Sequence, residues 1–311
     1  MLFLFLLVLA GQAGALDLRV IGGVGNLAFS SEQESSLGAA DADFEPAISP
    51  YVLVGLEGDY SDIIGFSAAF DRDPIMRNRL LTNISLNLGY LRLDAGPFLG
   101  LFNTEEQPLN TGLSAGVGVE FPGIIFGSVK AAATIGSLAG KTGEYVQQTG
   151  DISVGFWVPH VICTFSLQTQ IYSDRVSTEL LTKDESTRYQ FSADTFSKNV
   201  PYTIQVNMGY QSLKRSYIPQ GNAAVTVTTE DDGAGGYTSV ISSVESETDE
   251  FKSLYIGFEG TWRIVPRIRL VLGAEMPVYS WGKDPLGTPD RDIFIFQARA
   301  GLVWTLPEKV K

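Results

Sequence analysis

The chain has 311 residues, 44% apolar, 18% charged and 11% aromatic, and 22 Lys and Arg against 35 Asp and Glu leave a formal charge of −13. That balance excludes a chain-wide basic footprint for nucleic acid. The single Cys163 and single His160 exclude an internal disulfide, CxxC zinc sites and any metal site built on two imidazoles. No apolar run beyond residue 16 reaches the ~18 residues of a membrane helix, so strands are the remaining way for so apolar a chain to cross a membrane.

In chain order, the first element is a targeting segment. Residues 1–9 are wholly apolar and are followed by the small residues Ala10, Gly11, Ala13, Gly14 and Ala15, the pattern of a secretory signal peptide. Residues 1–15 are expected to be removed, which leaves a barrel over 16–306 and a short periplasmic tail at 307–311.

From there the chain alternates with period two. At 80–90, Leu80, Ile84, Leu86, Leu88 and Tyr90 oppose Asn83, Ser85, Asn87 and Gly89. At 161–171, Cys163, Phe165, Leu167 and Ile171 oppose Thr164, Ser166, Gln168 and Gln170. At 200–210, Val200, Tyr202, Ile204, Val206, Met208 and Tyr210 oppose Thr203, Gln205, Asn207 and Gly209. At 254–264, Leu254, Ile256, Phe258, Trp262 and Ile264 oppose Tyr255, Gly257, Glu259, Thr261 and Arg263. Such alternation marks a half-buried strand rather than a helix.

The same reading predicts fourteen strands, at 18–29, 50–60, 63–71, 80–91, 95–103, 111–121, 124–136, 150–158, 161–173, 187–195, 200–212, 251–264, 267–279 and 292–306. Their lengths cluster near the ~9–11 residues with which a tilted strand crosses a bilayer. Short joints at 61–62, 92–94, 122–123, 159–160, 196–199 and 265–266 alternate with longer polar loops, the longest being 30–49 and 213–250. Short turns on one side and long loops on the other are the pattern of an outer-membrane barrel, periplasmic turns against extracellular loops. An even strand count then puts both termini in the periplasm. Gly55, Gly65, Gly89, Gly118, Gly209, Gly257, Gly273 and Gly301 fall on the polar face, where glycine lets a sheet curve. Aromatics fall at strand ends on the apolar face: Tyr60, Tyr90, Phe121, Phe156, Tyr202, Trp262 and Trp304 at one interface, Phe29, Phe70, Tyr210 and Phe294 at the other.

The last strand carries Arg299, Gly301, Leu302, Trp304 and Leu306: a polar residue, a glycine two places on, then hydrophobics at alternate positions. This resembles the C-terminal signal of bacterial outer-membrane barrels, and the resemblance implies recognition by the barrel assembly machinery. It departs from that pattern in continuing through 307–311. Fourteen strands is similar to the monomeric porins. It is also the strand number of the long-chain fatty-acid channels, whose N-terminal plug is not expected here.

Candidate chemistry is sparse. His160 lies in a tight turn, Asn83 and Ser85 of a glycosylation-like triplet fall mid-strand on the lumen face, and Cys163 reads as a small hydrophobe facing lipid. Loops 30–49 and 213–250 are acidic (Glu32, Glu34, Asp41, Asp43 and Glu45; Glu230, Asp231, Asp232, Glu245, Glu247, Asp249 and Glu250), without EF-hand spacing, and read as solvated surface. The second loop also alternates at Val225, Val227, Tyr237, Ser239 and Ile241, which predicts a hairpin. No enzyme activity, cofactor or metal is expected.

The polar faces predict a lumen lined by Glu57, Asp59, Asn87, Glu120, Lys130, Gln168, Gln205, Asn207, Glu259, Arg263, Arg267, Arg269, Glu275 and Arg299. A three-residue turn at 264–266 would set Arg263 opposite Arg267, Thr261 opposite Arg269 and Glu259 within reach of Arg269. The expected whole is an all-β, transmembrane, antiparallel up-and-down barrel in the outer membrane of a two-membraned bacterium. It would be a monomeric pore for small polar solutes or ions. A closed structural, adhesin or receptor barrel is the alternative, and a channel for hydrophobic substrates comes third.

Overall fold

The computed structural model describes residues 16–25, 48–102, 109–137, 145–177, 180–195, 200–219, 225–231, 237–243, 247–283 and 296–306. The expected signal peptide, the tail at 307–311, most of loop 30–49, Phe29 and Phe294 lie outside these residues. The first eight strands are β1 (Leu16–Gly25), β2 (Ser49–Asp59), β3 (Ile64–Asp73), β4 (Arg77–Leu88), β5 (Leu91–Leu101), β6 (Leu109–Phe121), β7 (Ile125–Ser137) and β8 (Val146–Val158). They are followed by β9 (Val161–Ser177), β10 (Leu180–Thr195), β11 (Tyr202–Pro219), β12 (Val225–Asp231), β13 (Tyr237–Ser243), β14 (Glu247–Val265), β15 (Ile268–Lys283) and β16 (Gln297–Leu306).

All except β12 and β13 form one closed barrel of fourteen antiparallel strands, each beside its sequence neighbour, with β11 next to β14. The barrel closes where β1 pairs with β16 in an unbroken register from Leu16–Leu306 to Gly25–Gln297. Glycine makes that seam possible: a Cβ at Gly23 would sit 2.3 Å from the Ala298 carbonyl oxygen, and one at Gly301 2.3 Å from that of Val20.

The period-two pattern decides the two faces. Val20, Val54, Ile84, Val117, Ile152, Phe165, Met208, Phe258, Leu272 and Leu302 are exposed on the outside. The residues between them, such as Ser85, Gln170, Asn207 and Gln211, are buried on the inside. An apolar exterior around a polar interior inverts the arrangement of a water-soluble domain and is that of a transmembrane β-barrel. Closure also satisfies every ladder donor and acceptor without an edge, as hydrocarbon demands.

All fourteen expected barrel strands are present, but several connections differ. The joint placed at 92–94 is a two-residue turn at Gly89 and Tyr90; Gly89 has φ 70°, a left-handed conformation that glycine adopts at little cost. Gly89 therefore leaves the polar face, and Arg92 and Asp94 belong to β5. The loop expected at 72–79 is a tight turn of Pro74, Ile75 and Met76, because the Asp73 carboxylate accepts the amides of Ile75 at 2.8 Å and Met76 at 2.5 Å. The loop expected at 174–186 shrinks to residues 178 and 179 between β9 and β10. Loop lengths therefore do not divide cleanly between the two ends. We call the end where β1 begins and β16 finishes proximal, and the other distal. On the distal side β9 reaches 17 residues and β14 reaches 19, against 10 for β3, so one wall is taller. The expected hairpin within 213–250 is β12 paired with β13 as a separate two-stranded sheet.

The turn between β3 and β4 folds inward. Met76 is fully buried in a cluster with Phe102, Tyr145 and the inward-facing Tyr172. Elsewhere on the inner face Ile21, Val271 and Val303 pack with Tyr51 and Leu53. The expected proximal aromatics Tyr60, Tyr90, Phe121, Phe156, Tyr202, Trp262 and Trp304 are exposed. At the distal end Tyr210, Tyr279 and Trp281 form a run of rings with centroids 5.4–6.0 Å apart.

The register gives a direct test. Phe258→Arg puts a charge on the lipid face, where it costs ~2–4 kcal/mol near the midplane, whereas Gln205→Arg points inward. The first variant should lose most of its heat-modifiable folded band on SDS gels and the second should keep it.

Candidate solute pathway

The inward-facing side chains surround three cavities that adjoin through shared residues. The proximal one, about 500 Å³, is lined by Asp17, Glu57, Asp59, Arg92, Arg263, Arg267 and Arg269. The turn between β14 and β15 is tighter than expected: Arg263 lies opposite Arg269, and Val265 opposite Ile268, with Arg267 at the exposed tip. Thr261 accordingly faces Val271. Arg269 pairs with Asp17 across the seam at 3.0 Å, not with Glu259. Glu259 pairs instead with Arg299 at 2.5 Å, since Arg299 reaches it over Gly273. No carboxylate of the described residues forms an ion pair with Arg263 or Arg267. Arg92 is shared with Asp94 of the next cavity, so the unpaired charge of this mouth is that of Arg263 and Arg267.

The middle cavity, about 330 Å³, shares Glu57 and Arg92 with the mouth and adds Asp71, Arg79, Asp94, Lys130 and Asp151. Arg92 stands 3.9 Å from Glu57 and 3.0 Å from Asp94. Ser85 donates to Asp94 at 2.5 Å and accepts from Arg92 at 2.9 Å. Lys130 faces Asp151 in register on the neighbouring strand.

The distal cavity, about 260 Å³, shares Asp71 and Arg79 with the middle one and is bounded by Pro74 and Ile75 of the inward turn. Arg79 closes the junction, 2.5 Å from Asp71 and 3.9 Å from Asp73. Across the barrel, Arg188 pairs with Glu275 at 2.6 Å and lies over the Tyr255 ring at 4.1 Å. The turn is tied to the far wall. Gln170 donates to Asp73 at 2.9 Å, and Gln147 donates to the carbonyls of Met76 at 2.7 Å and Asn78 at 3.2 Å.

The expected lining residues thus separate into groups. Glu57, Asp59, Arg263, Arg267 and Arg269 gather at the proximal mouth, Lys130 in the middle, and Gln168 and Arg299 at the distal chamber. Asn87, opposite Arg92, and Gln205, Asn207 and Glu275 share the inward registers of their strands without lining any of these three cavities. Glu120 sits beside Phe126 at the exposed proximal rim. The pattern missed Asp71, Asp73, Arg79, Asp94 and Asp151. It also left Arg188 unassigned, although the alternation of Arg188, Gln190 and Ser192 with Tyr189 and Phe191 carried the signal.

By architecture the chain is a transmembrane β-barrel of the outer-membrane type. Among solved structures it is similar to a bacterial polysaccharide outer-membrane secretin (12% identity, TM-score 0.43, covering 94% of this chain and 99% of that one). It is similar also to an anion-selective porin from Comamonas acidovorans (8%, 0.41, 95% and 100%). OmpT, an outer-membrane protein of Vibrio cholerae, is a third (8%, 0.40, 94% and 96%). No protein-family model and no curated protein matches the chain.

The unpaired arginines make the mouth testable. Exposed loop charges fade beyond a Debye length, ~3 Å in 1 M salt, whereas a ring of like charge in the path selects by sign. Arg263→Glu combined with Arg267→Glu should move the reversal potential in a high-salt gradient toward cations. An unmoved potential in a conducting double variant would take both arginines out of the ion path.

Proposed function

We propose that the chain forms an outer-membrane pore for the passive diffusion of small polar solutes or ions, in a two-membraned bacterium, with both termini periplasmic. The supporting observation is the run of three cavities through the barrel, each with charged side chains in its lining, that adjoin at Glu57 and Arg92 and again at Asp71 and Arg79. The barrel acts as a monomer in outer-membrane lipid. Its last strand supplies the assembly signal: Arg299 and Gly301 face the lumen side, and the exposed Trp304 faces lipid, with Leu306 at the end of the strand. Arg299 thus serves both assembly and lining.

A second reading, a closed barrel with a structural or surface role, draws on the inward turn and on the tight Arg79–Asp71 pair. Planar-bilayer recording of refolded protein separates the two. Stepwise current from the wild-type barrel supports the pore. Gln147→Leu with Gln170→Leu removes the ties of the turn and should raise the unit conductance or its open fraction. Silence of both proteins, each folded by heat modifiability, favours the closed barrel.

A further inference from the structure

Charge and hydrogen-bonding capacity are distributed unevenly along the interior. At the proximal mouth Arg263 and Arg267 have no ion pair among the described residues. In the distal chamber each of the three arginines is already matched: Arg79 by Asp71, Arg188 by Glu275 and Arg299 by Glu259. Apart from one oxygen of the paired Asp71 carboxylate, what the chamber leaves unmatched is uncharged. Gln168, Gln297, Ser186 and the Tyr51 hydroxyl line it and make no side-chain hydrogen bond among the described residues. Gln211, only 4% exposed, also lines it, and its carbonyl oxygen has no partner. Buried polar groups without partners carry a desolvation cost that a ligand group can relieve. Three amides, each offering donors and an acceptor, around a pair-neutralised wall suit a solute with several hydroxyls and no charge. Because Asp73 adds a second carboxylate beside Arg79, the wall is on balance acidic, which disfavours an anion. The volume of about 260 Å³ lies below the ~300–1,000 Å³ of drug-sized pockets and limits the solute to about one ring.

We propose that the distal chamber, between β2–β4 on one side and β9–β11 and β16 on the other, is a binding subsite for a small uncharged polyhydroxylated solute, held by Gln168, Gln211 and Gln297 under the inward turn. The proposal rests on the pore reading for its purpose but not for its test. Calorimetric titration of the detergent-refolded full chain, with myo-inositol as probe and inositol monophosphate as its charged counterpart, measures the subsite without requiring conduction.

Myo-inositol should bind saturably at one site, and the monophosphate about tenfold more weakly or not at all. Gln168→Leu with Gln297→Leu should weaken myo-inositol about tenfold, the factor that roughly 1.4 kcal/mol of lost hydrogen bonding supplies. Thr169→Val, facing outward on the same strand as Gln168, should leave it unchanged. Absence of saturable heat from a folded barrel overturns the proposal, as does equal affinity for the monophosphate or for the double variant. Saturable binding by a barrel that is silent in bilayers keeps the subsite and removes the pore, whereas conduction without binding does the reverse.

Discussion

Hydrocarbon offers the backbone no hydrogen-bond partners, so a sheet can cross it only when its first and last strands pair. Here that closure is the seam of β1 with β16, and the rest of the structure depends on it. The seam brings the strand backbones so close at Gly23 and Gly301 that a side chain at either would meet a carbonyl oxygen at 2.3 Å. It also places Asp17 beside Arg269, so the same pairing that removes the edges builds one wall of the proximal mouth. Once the ring is closed, period two assigns every residue to lipid or lumen, and a one-residue slip would exchange the faces.

The interior then faces a different problem. Its polar side chains are partly withdrawn from water, and a charge left unpaired there is costly: breaking a buried pair by removing one partner typically costs ~3–5 kcal/mol. The barrel answers by pairing across neighbouring strands where it is narrow and filled, as at Arg79–Asp71 and Arg215–Asp184. At the wet mouth, Arg263 and Arg267 have no ion pair among the described residues. The gradient from a charged mouth to an amide-lined chamber is therefore an expected outcome of burial, and it gives the two ends different chemistry.

The faces were legible in the sequence because alternation is a local property. Val206, Met208 and Phe258 against Gln205, Asn207 and Gly257 needed no knowledge of neighbours. Turns were less legible. Gly89 satisfies both the polar face of a strand and the left-handed position of a tight turn, and only the pairing of Leu88 with Leu91 decides between them. Once the turn moved, Arg92 and Asp94 passed from loop to lumen. Likewise Asp73 and Arg79 read as loop polarity until the Asp73 side chain was seen to cap the turn and Arg79 to face Asp71. The partner of Arg269 depends on strand ends 252 residues apart in sequence, a distance over which pattern carries no information.

The inward turn reconciles a lumen of charge-lined cavities with a narrow, well-filled cross-section. The ladder hydrogen bonds of β3 and β4 stop at Asp73 and Arg77, so Pro74, Ile75 and Met76 can move without unzipping the barrel. What holds them is the hydrogen bonds that Gln147 donates to the Met76 carbonyl and Gln170 to Asp73, with the burial of Met76. At ~0.5–1.5 kcal/mol per net hydrogen bond and ~1.5–3 for the methionine, these sum to roughly 2.5–6 kcal/mol. Opening the β1–β16 seam, by contrast, would expose a whole ladder to lipid. On the proposed pore reading, the closed and the conducting barrel would be two states of one scaffold, separated by the contacts of a single turn, and a solute seated beneath that turn would bias the equilibrium between them.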